Sequence, residues 1–145
     1  MNPADNVQVA VVPEPIGKSP QAAAVHWPSH IQSVPQCPPP DAVPASGILY
    51  RRQDDGLSRK ERYEKAGRKL KKDKCQCAAL SCYDDLTLLK EILTVHEAWS
   101  NCEIVQAKLD HEHGLMKKTN GPGHYSLWLN AQSHARYIEL FQSAP

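Results

Sequence analysis

Aromatic mass is scarce in this sequence, and no long apolar run occurs. One phenylalanine is present in 145 residues, and no segment approaches the roughly 20 apolar residues that span a bilayer. A membrane-spanning role is therefore not expected. The first apolar stretch, Val7 to Val12, is short, lacks a basic flank and ends at Pro13, so it does not read as a secretory signal. No Asn-x-Ser/Thr sequon occurs. Also missing are a phosphate-cradling glycine loop, a Gly-x-Ser-x-Gly elbow and a His-Glu-x-x-His motif. Those absences point to a non-enzymatic protein. Five cysteines, an odd number, without an export signal favour reduced thiols or a metal site over a disulfide framework. The expected location is intracellular, in the nucleus, the cytoplasm or both.

What is present is unevenly spread. Ten of the twelve prolines precede residue 45. Proline removes backbone donors and forces its predecessor into extended geometry, and little apolar area is available there to offset ordering entropy. Residues 1–46 thus read as a disordered, Pro-rich tail. Within it Val7, Val9 and Val11 alternate as a strand would, and Pro35-Gln36-Cys37-Pro38 fits a minimal polyproline docking pattern, although no basic residue flanks it. Residues 47–74 read as a basic arm, and 75–145 as a small helical Cys/His domain. The expected fold class is mostly α, with at most a short strand near the C-terminus.

Helical periodicity carries that expectation. Ser58 and Glu61 form a capping-box signature ahead of a charged helix over Arg59–Asp73, weakened by Gly67. Asp84 or Asp85 can cap a second helical stretch reaching His113. On a 3.6-residue wheel Leu86, Leu88, Leu89, Ile92, Leu93, Val95, His96 and Trp99 share one half. Beyond Trp99 the stripe rotates to Cys102, Val105, Leu109 and His113, which predicts two helices or a kink near Ser100-Asn101. Gly121-Pro122-Gly123 is a turn. Tyr125–Leu129 reads as a short strand, and Ala131, Ala135, Ile138 and Phe141 as a last helix.

Net charge is only +1, but its distribution is polar along the chain. Between Arg51 and Lys74, eleven bases (Arg51, Arg52, Arg59, Lys60, Arg62, Lys65, Arg68, Lys69, Lys71, Lys72, Lys74) face five acids. Between Asp84 and Glu112, seven acids face two lysines. Arg51, Arg52, Arg59, Lys60, Arg62, Arg68, Lys69, Lys71, Lys72 and Lys74 are the residues expected to neutralise phosphates of RNA or DNA. Arg59-Lys60 followed by Lys71-Lys72-Asp73-Lys74 also fits a two-part nuclear-import pattern. The plain alternative is a solvated helix whose Glu61 and Glu64 pair locally with Lys65 and Arg68.

Cys75-x-Cys77-x4-Cys82, with His96 and Cys102 downstream, is the main metal candidate. Thiolate and imidazole are zinc's preferred ligands, and four of them close a structural tetrahedron. The expected set is Cys75, Cys77 and Cys82, completed by His96 or Cys102. One residue between the first pair is fewer than structural zinc sites use. The competing reading makes Cys82 and Cys102 small core hydrophobes and His96 a core histidine. His111 and His113, two apart on a helix, diverge by about 200° and cannot share a metal. A basic run beside a cysteine cluster is loosely similar to small viral cysteine-rich nucleic-acid-binding proteins. That likeness covers only Arg51 to Cys82, and their Cys-x2-Cys opening is not matched.

Together these features lead to a regulatory or accessory protein. Its basic arm would contact nucleic acid or an import receptor, and a zinc-stapled helical domain would position it. A rival is a protein-interaction adaptor using the Leu86–Trp99 face, on a partner helix or as a dimer seam, together with the proline-rich tail. A minor third reading is a metal-dependent hydrolase built on His111, His113, His124 and His134.

Overall fold

Seven strands among the described residues, all antiparallel, form one sheet. The structure, a computed structural model, describes residues 25–145. In chain order the elements are α1 (Ser29–Gln32), β1 (Val43–Pro44), β2 (Gly47–Arg52), α2 (Arg59–Lys65), α3 (Lys74–Cys77), β3 (Leu80–Tyr83) and α4 (Leu86–Val95). There follow a short 3₁₀ turn (Glu97–Trp99), β4 (Ile104–Leu109), β5 (Gly114–Lys118), β6 (His124–Leu129), α5 (Ala131–Ala135), α6 (Tyr137–Leu140) and β7 (Gln142–Ser143). Across the sheet the strands lie in the order β1-β5-β6-β3-β2-β4-β7.

The fold is therefore not mostly helical. The main departure lies after Trp99, where a helix was expected and β4 is found. Val105 and Leu109 are four apart, a spacing that suits a helical stripe and a strand face equally. Ala107, buried between them, resolves the ambiguity in favour of alternation. β4 pairs with β2 along its full length, Leu49 opposite Ala107 and Arg51 opposite Val105. Asp110–His113 is the turn into β5, not the end of a helix. Gly114 is no helix stop either. It opens β5 opposite Leu129, at φ 152°, where an added Cβ would lie 2.0 Å from the Trp128 carbonyl oxygen.

Other local signals hold. The Ser58 hydroxyl accepts the Glu61 N–H at 3.1 Å, and Glu61 accepts the Ser58 N–H at 2.9 Å. The helix they start stops at Lys65, because Gly67 adopts φ 68°, a left-handed geometry that ends helices cheaply. Asp85 caps α4 by accepting the Leu88 N–H. A strand covers Tyr125–Leu129 and begins one residue earlier, at His124. The last helical segment is split in two at Arg136.

Alternation places Leu49, Leu80, Cys82, Val105, Ala107, Leu109, Leu127 and Leu129 on one face of the sheet. Tyr137 and Phe141 close over them from α6 and its end, completing the main core. On the other face Trp128 packs with Ile31, Ala78 and Ala79, and its indole N–H donates to the Cys75 carbonyl at 2.9 Å. Ile31 and Ala45 are almost fully buried, so residues 25–46 contribute to the interior. Pro35-Gln36-Cys37-Pro38 forms part of a turn, with Gln36 at φ 57°, instead of an extended ligand. Val7, Val9 and Val11 lie outside the described residues.

Cys37 and Cys75 form a disulfide. That overturns the expectation of reduced thiols for this pair, and with it the argument from cysteine usage for a reducing compartment. No helix among the described residues is long and apolar enough to cross a membrane.

Candidate functional site

The two expected sites do not assemble as the sequence implied. Cys75 is consumed by its disulfide. Cys82 is fully buried in the main core, where burial pushes its thiol up to about 12 despite the opposing charge of Arg51. Cys77 and Cys102 are half-exposed free thiols, and His96 is exposed with its ring 4.6 Å from that of Trp99. Among the described residues, no group of three metal-ligating atoms includes any of these five. A helical zinc domain is not what this sequence builds. Three other ligating side chains do converge, those of His30, Glu61 and His134.

The basic stretch is likewise not one arm. Arg51 alternates into the sheet's core face, where its Nη1 donates to Asp54 Oδ1 at 2.7 Å and to the Tyr137 hydroxyl. Its Nε donates to the Ser81 carbonyl at 3.2 Å. Lys60 is buried and paired with Glu64. Arg62 is held by Asp54 and Asp55, and Arg68 stacks 4.3 Å over the Tyr63 ring. Lys69, Lys71, Lys72 and Lys74 are exposed but follow the end of α2. The extended basic helix expected to engage nucleic acid or an import receptor is absent, and the two-part import signal loses Lys60 to the interior. These corrections remove the basis for a nuclear role.

A cleft of about 610 Å³ takes the place of both sites. Residues of β2, β3, β6, α2 and the β5–β6 turn line it, among them Arg52, Arg59, Lys72, Ser81, His124 and Ser126. Strand register explains the floor, since Ser81 faces Ser126 and Tyr83 faces His124 across the β3–β6 pair. These residues lie on the face opposite the main core. There a serine and a histidine can be covered without entering the leucine layer.

His124 is hydrogen-bonded at both ring nitrogens. Its Nδ1 lies 3.0 Å from the Thr119 carbonyl oxygen and 3.0 Å from Thr119 Oγ1. Its Nε2 is hydrogen-bonded to Ser81 Oγ. A carbonyl oxygen only accepts, so Nδ1 must carry the proton there. In the neutral ring Nε2 then accepts the Ser81 O–H. Burial lowers the His124 pKa below its ordinary 6.5, opposed by the Thr119 carbonyl, which keeps that neutral form dominant around neutral pH. Thr119 Oγ1 continues the network to Ser126 Oγ at 2.8 Å, and the Tyr83 ring meets the imidazole edge-on at 5.0 Å. The imidazole is fixed on both sides while Ser81 remains exposed.

The rim is positive. Asp54 and Asp73 also line the cleft, yet both are engaged. Asp54 serves Arg51, Arg62 and the Gly56 N–H, and Asp73 caps α3 by accepting the Gln76 N–H. Arg52, Arg59 and Lys72 have no carboxylate partner among the described residues; Arg52 lies 4.8 Å over the Trp99 ring.

Sequence reasoning missed Ser81, Thr119 and Ser126 altogether, and placed His124 in a metal set with His111, His113 and His134. The structure separates those four: His111 and His113 sit in the β4–β5 turn, His124 at the cleft and His134 beside Glu61. Of the face expected to serve an adaptor, Leu89 and Leu93 are buried, Leu86, Leu88, Ile92 and Trp99 are half-buried, and Val95 and His96 are exposed. No family model matches this chain, nor does any curated protein or solved structure.

Proposed function

We propose that this chain is a small binding protein that takes a phosphate-bearing ligand in the Ser81–His124 cleft. One observation carries the reading: Arg52, Arg59 and Lys72 line the cleft without carboxylate partners among the described residues, while Asp54 pairs with Arg51 and Arg62 and Asp73 caps α3. Guanidinium and ammonium groups are the side chains best suited to phosphate oxygens. The amides of Gln76 and Asn120, joined to each other at 3.1 Å, also line the cleft and offer their remaining N–H groups as uncharged donors. The volume falls in the range of small-molecule sites. Equilibrium titration of the full chain with adenosine monophosphate and with pyrophosphate, at low and high salt, tests it. Binding should weaken with salt and fall about tenfold in Arg59→Ala or Lys72→Ala, from the loss of one charge-assisted contact. No binding at millimolar probe, or affinity indifferent to both substitutions, would overturn it.

The Ser81–His124 contact favours a second reading, in which the bound ligand is also acted upon. A serine hydroxyl becomes a nucleophile when a positioned base accepts its proton, and His124 is held in the required tautomer by Thr119. Under this reading Ser81→Ala abolishes turnover of an activated phosphate ester or acyl ester while ligand binding survives. Turnover equal in the wild type and Ser81→Ala would leave binding alone.

A further inference from the structure

We infer that His30, Glu61 and His134 form a zinc(II)-binding site that clamps the N-terminal segment to the body of the protein. The three residues come from α1, α2 and α5, separate in sequence, and their ligating atoms all lie within 4.8 Å of one another. Each imidazole presents the same nitrogen to a different oxygen of one carboxylate. His30 Nε2 is 3.4 Å from Glu61 Oε1, and His134 Nε2 is 3.2 Å from Glu61 Oε2. Two ligand atoms on a tetrahedral zinc with bonds of about 2.0–2.1 Å stand roughly 3.3–3.4 Å apart. The two nitrogen–oxygen separations lie close to that edge, each to its own oxygen of the shared carboxylate.

The surroundings suit a dication. Glu61 brings the formal negative charge, and the nearby Lys60 ammonium is turned to Glu64 and Ser33. The rings lie 4.9 Å apart and tilted at 51°, so neither blocks the other's approach to a shared point. His30 is buried and His134 partly exposed, which gives the ion a wall on one side and an entry on the other. Glu61 is anchored by the Ser58 N–H, the kind of second hydrogen bond that orients ligating carboxylates. Two histidines and a glutamate leave one tetrahedral position for water, as in sites that are not fully closed by protein.

The trio also has a mechanical logic. α1 is four residues long, too short to be stable alone. Ile31, the Cys37–Cys75 disulfide and the Ala131 N–H bond to the His26 carbonyl hold its region against the sheet. An ion shared with α2 and α5 adds a link across three elements, and its binding free energy adds to folding free energy.

Tag-free full-length protein titrated with zinc against a chromophoric chelator decides the matter, with cobalt(II) as a spectroscopic substitute. One equivalent should bind with submicromolar affinity, and its uptake should raise the Tm. Glu61→Gln, which can still form the capping box, should weaken binding at least tenfold, as should His134→Ala. The double substitution Cys77→Ser with Cys102→Ser should leave it unchanged. The cobalt adduct should lack thiolate charge-transfer absorption. Absence of stoichiometric binding at 100 μM zinc, binding that survives Glu61→Gln intact, or thiolate bands in the cobalt spectrum would each overturn the site. Circular dichroism of each variant separates lost ligation from lost fold, and Glu61→Gln decides if His134→Ala does not fold. None of these readouts depends on the Ser81–His124 cleft.

Discussion

At the scale of single residues, Arg51 and His124 show how alternation along a strand assigns unlike duties to similar polar side chains. Arg51 points into the core face, where Asp54 and the Tyr137 hydroxyl absorb its charge and donors. Removing the guanidinium leaves the Asp54 carboxylate, where little water reaches it, with only the more distant Arg62 as a cationic partner. Arg51→Met should therefore cost about 3–5 kcal/mol in a urea melt. A cost below about 1 kcal/mol would show that the pair is more solvated than its burial implies. His124 points to the other face and titrates. Its folded pKa lies below 6.5, so the unfolded chain binds the extra proton first on acidification. The sign is fixed: its contribution is complete above about pH 6.5 and is lost as pH falls through the folded value. The stability–pH curve of His124→Gln should be flatter than wild type in that window, and superimposable curves would rule out His124 as its source.

At the scale of elements, legibility tracked distance along the chain. The caps at Ser58 and Asp85, the turn at Gly121–Gly123 and the strand over Tyr125–Leu129 depend on a few neighbouring residues, and each could be read from them. β3 could not. Its four residues sit inside the cysteine cluster and become a strand because β6 and β2 flank them, with Leu80 opposite Leu127 more than forty positions away. The same holds for the cleft and the trio, whose members are far apart in sequence and meet only in the fold. Ser81 and His124 belong to no motif, and the Cys37–Cys75 bond joins a proline-rich stretch to a cysteine that local spacing assigned to zinc. That bond closes a loop across a separation of 38 residues, which in a chain-entropy account restrains the unfolded state by about 4 kcal/mol. Cys37→Ser should lower the Tm clearly under oxidising conditions, and added reductant should bring the wild type down to meet it. A Tm insensitive to both would mean that Ile31 and Trp128 hold this region unaided.

At the scale of the whole molecule, the sheet divides the labour. One face is a leucine-rich layer sealed by Tyr137 and Phe141, and the other carries the cleft at one end and the Trp128 cluster at the other. The outermost strands, β1 and β7, are two residues each, and β1 contains Pro44. Where they leave β5 and β4 uncovered, Lys117, Lys118 and Lys108 stand in the open stretch. A neighbouring molecule seeking to extend the hydrogen-bonded ladder meets a missing donor or a cation within one or two residues. Crowding many copies together should not thread them into fibrils through their rims, and any pairing between copies would have to use a flat side.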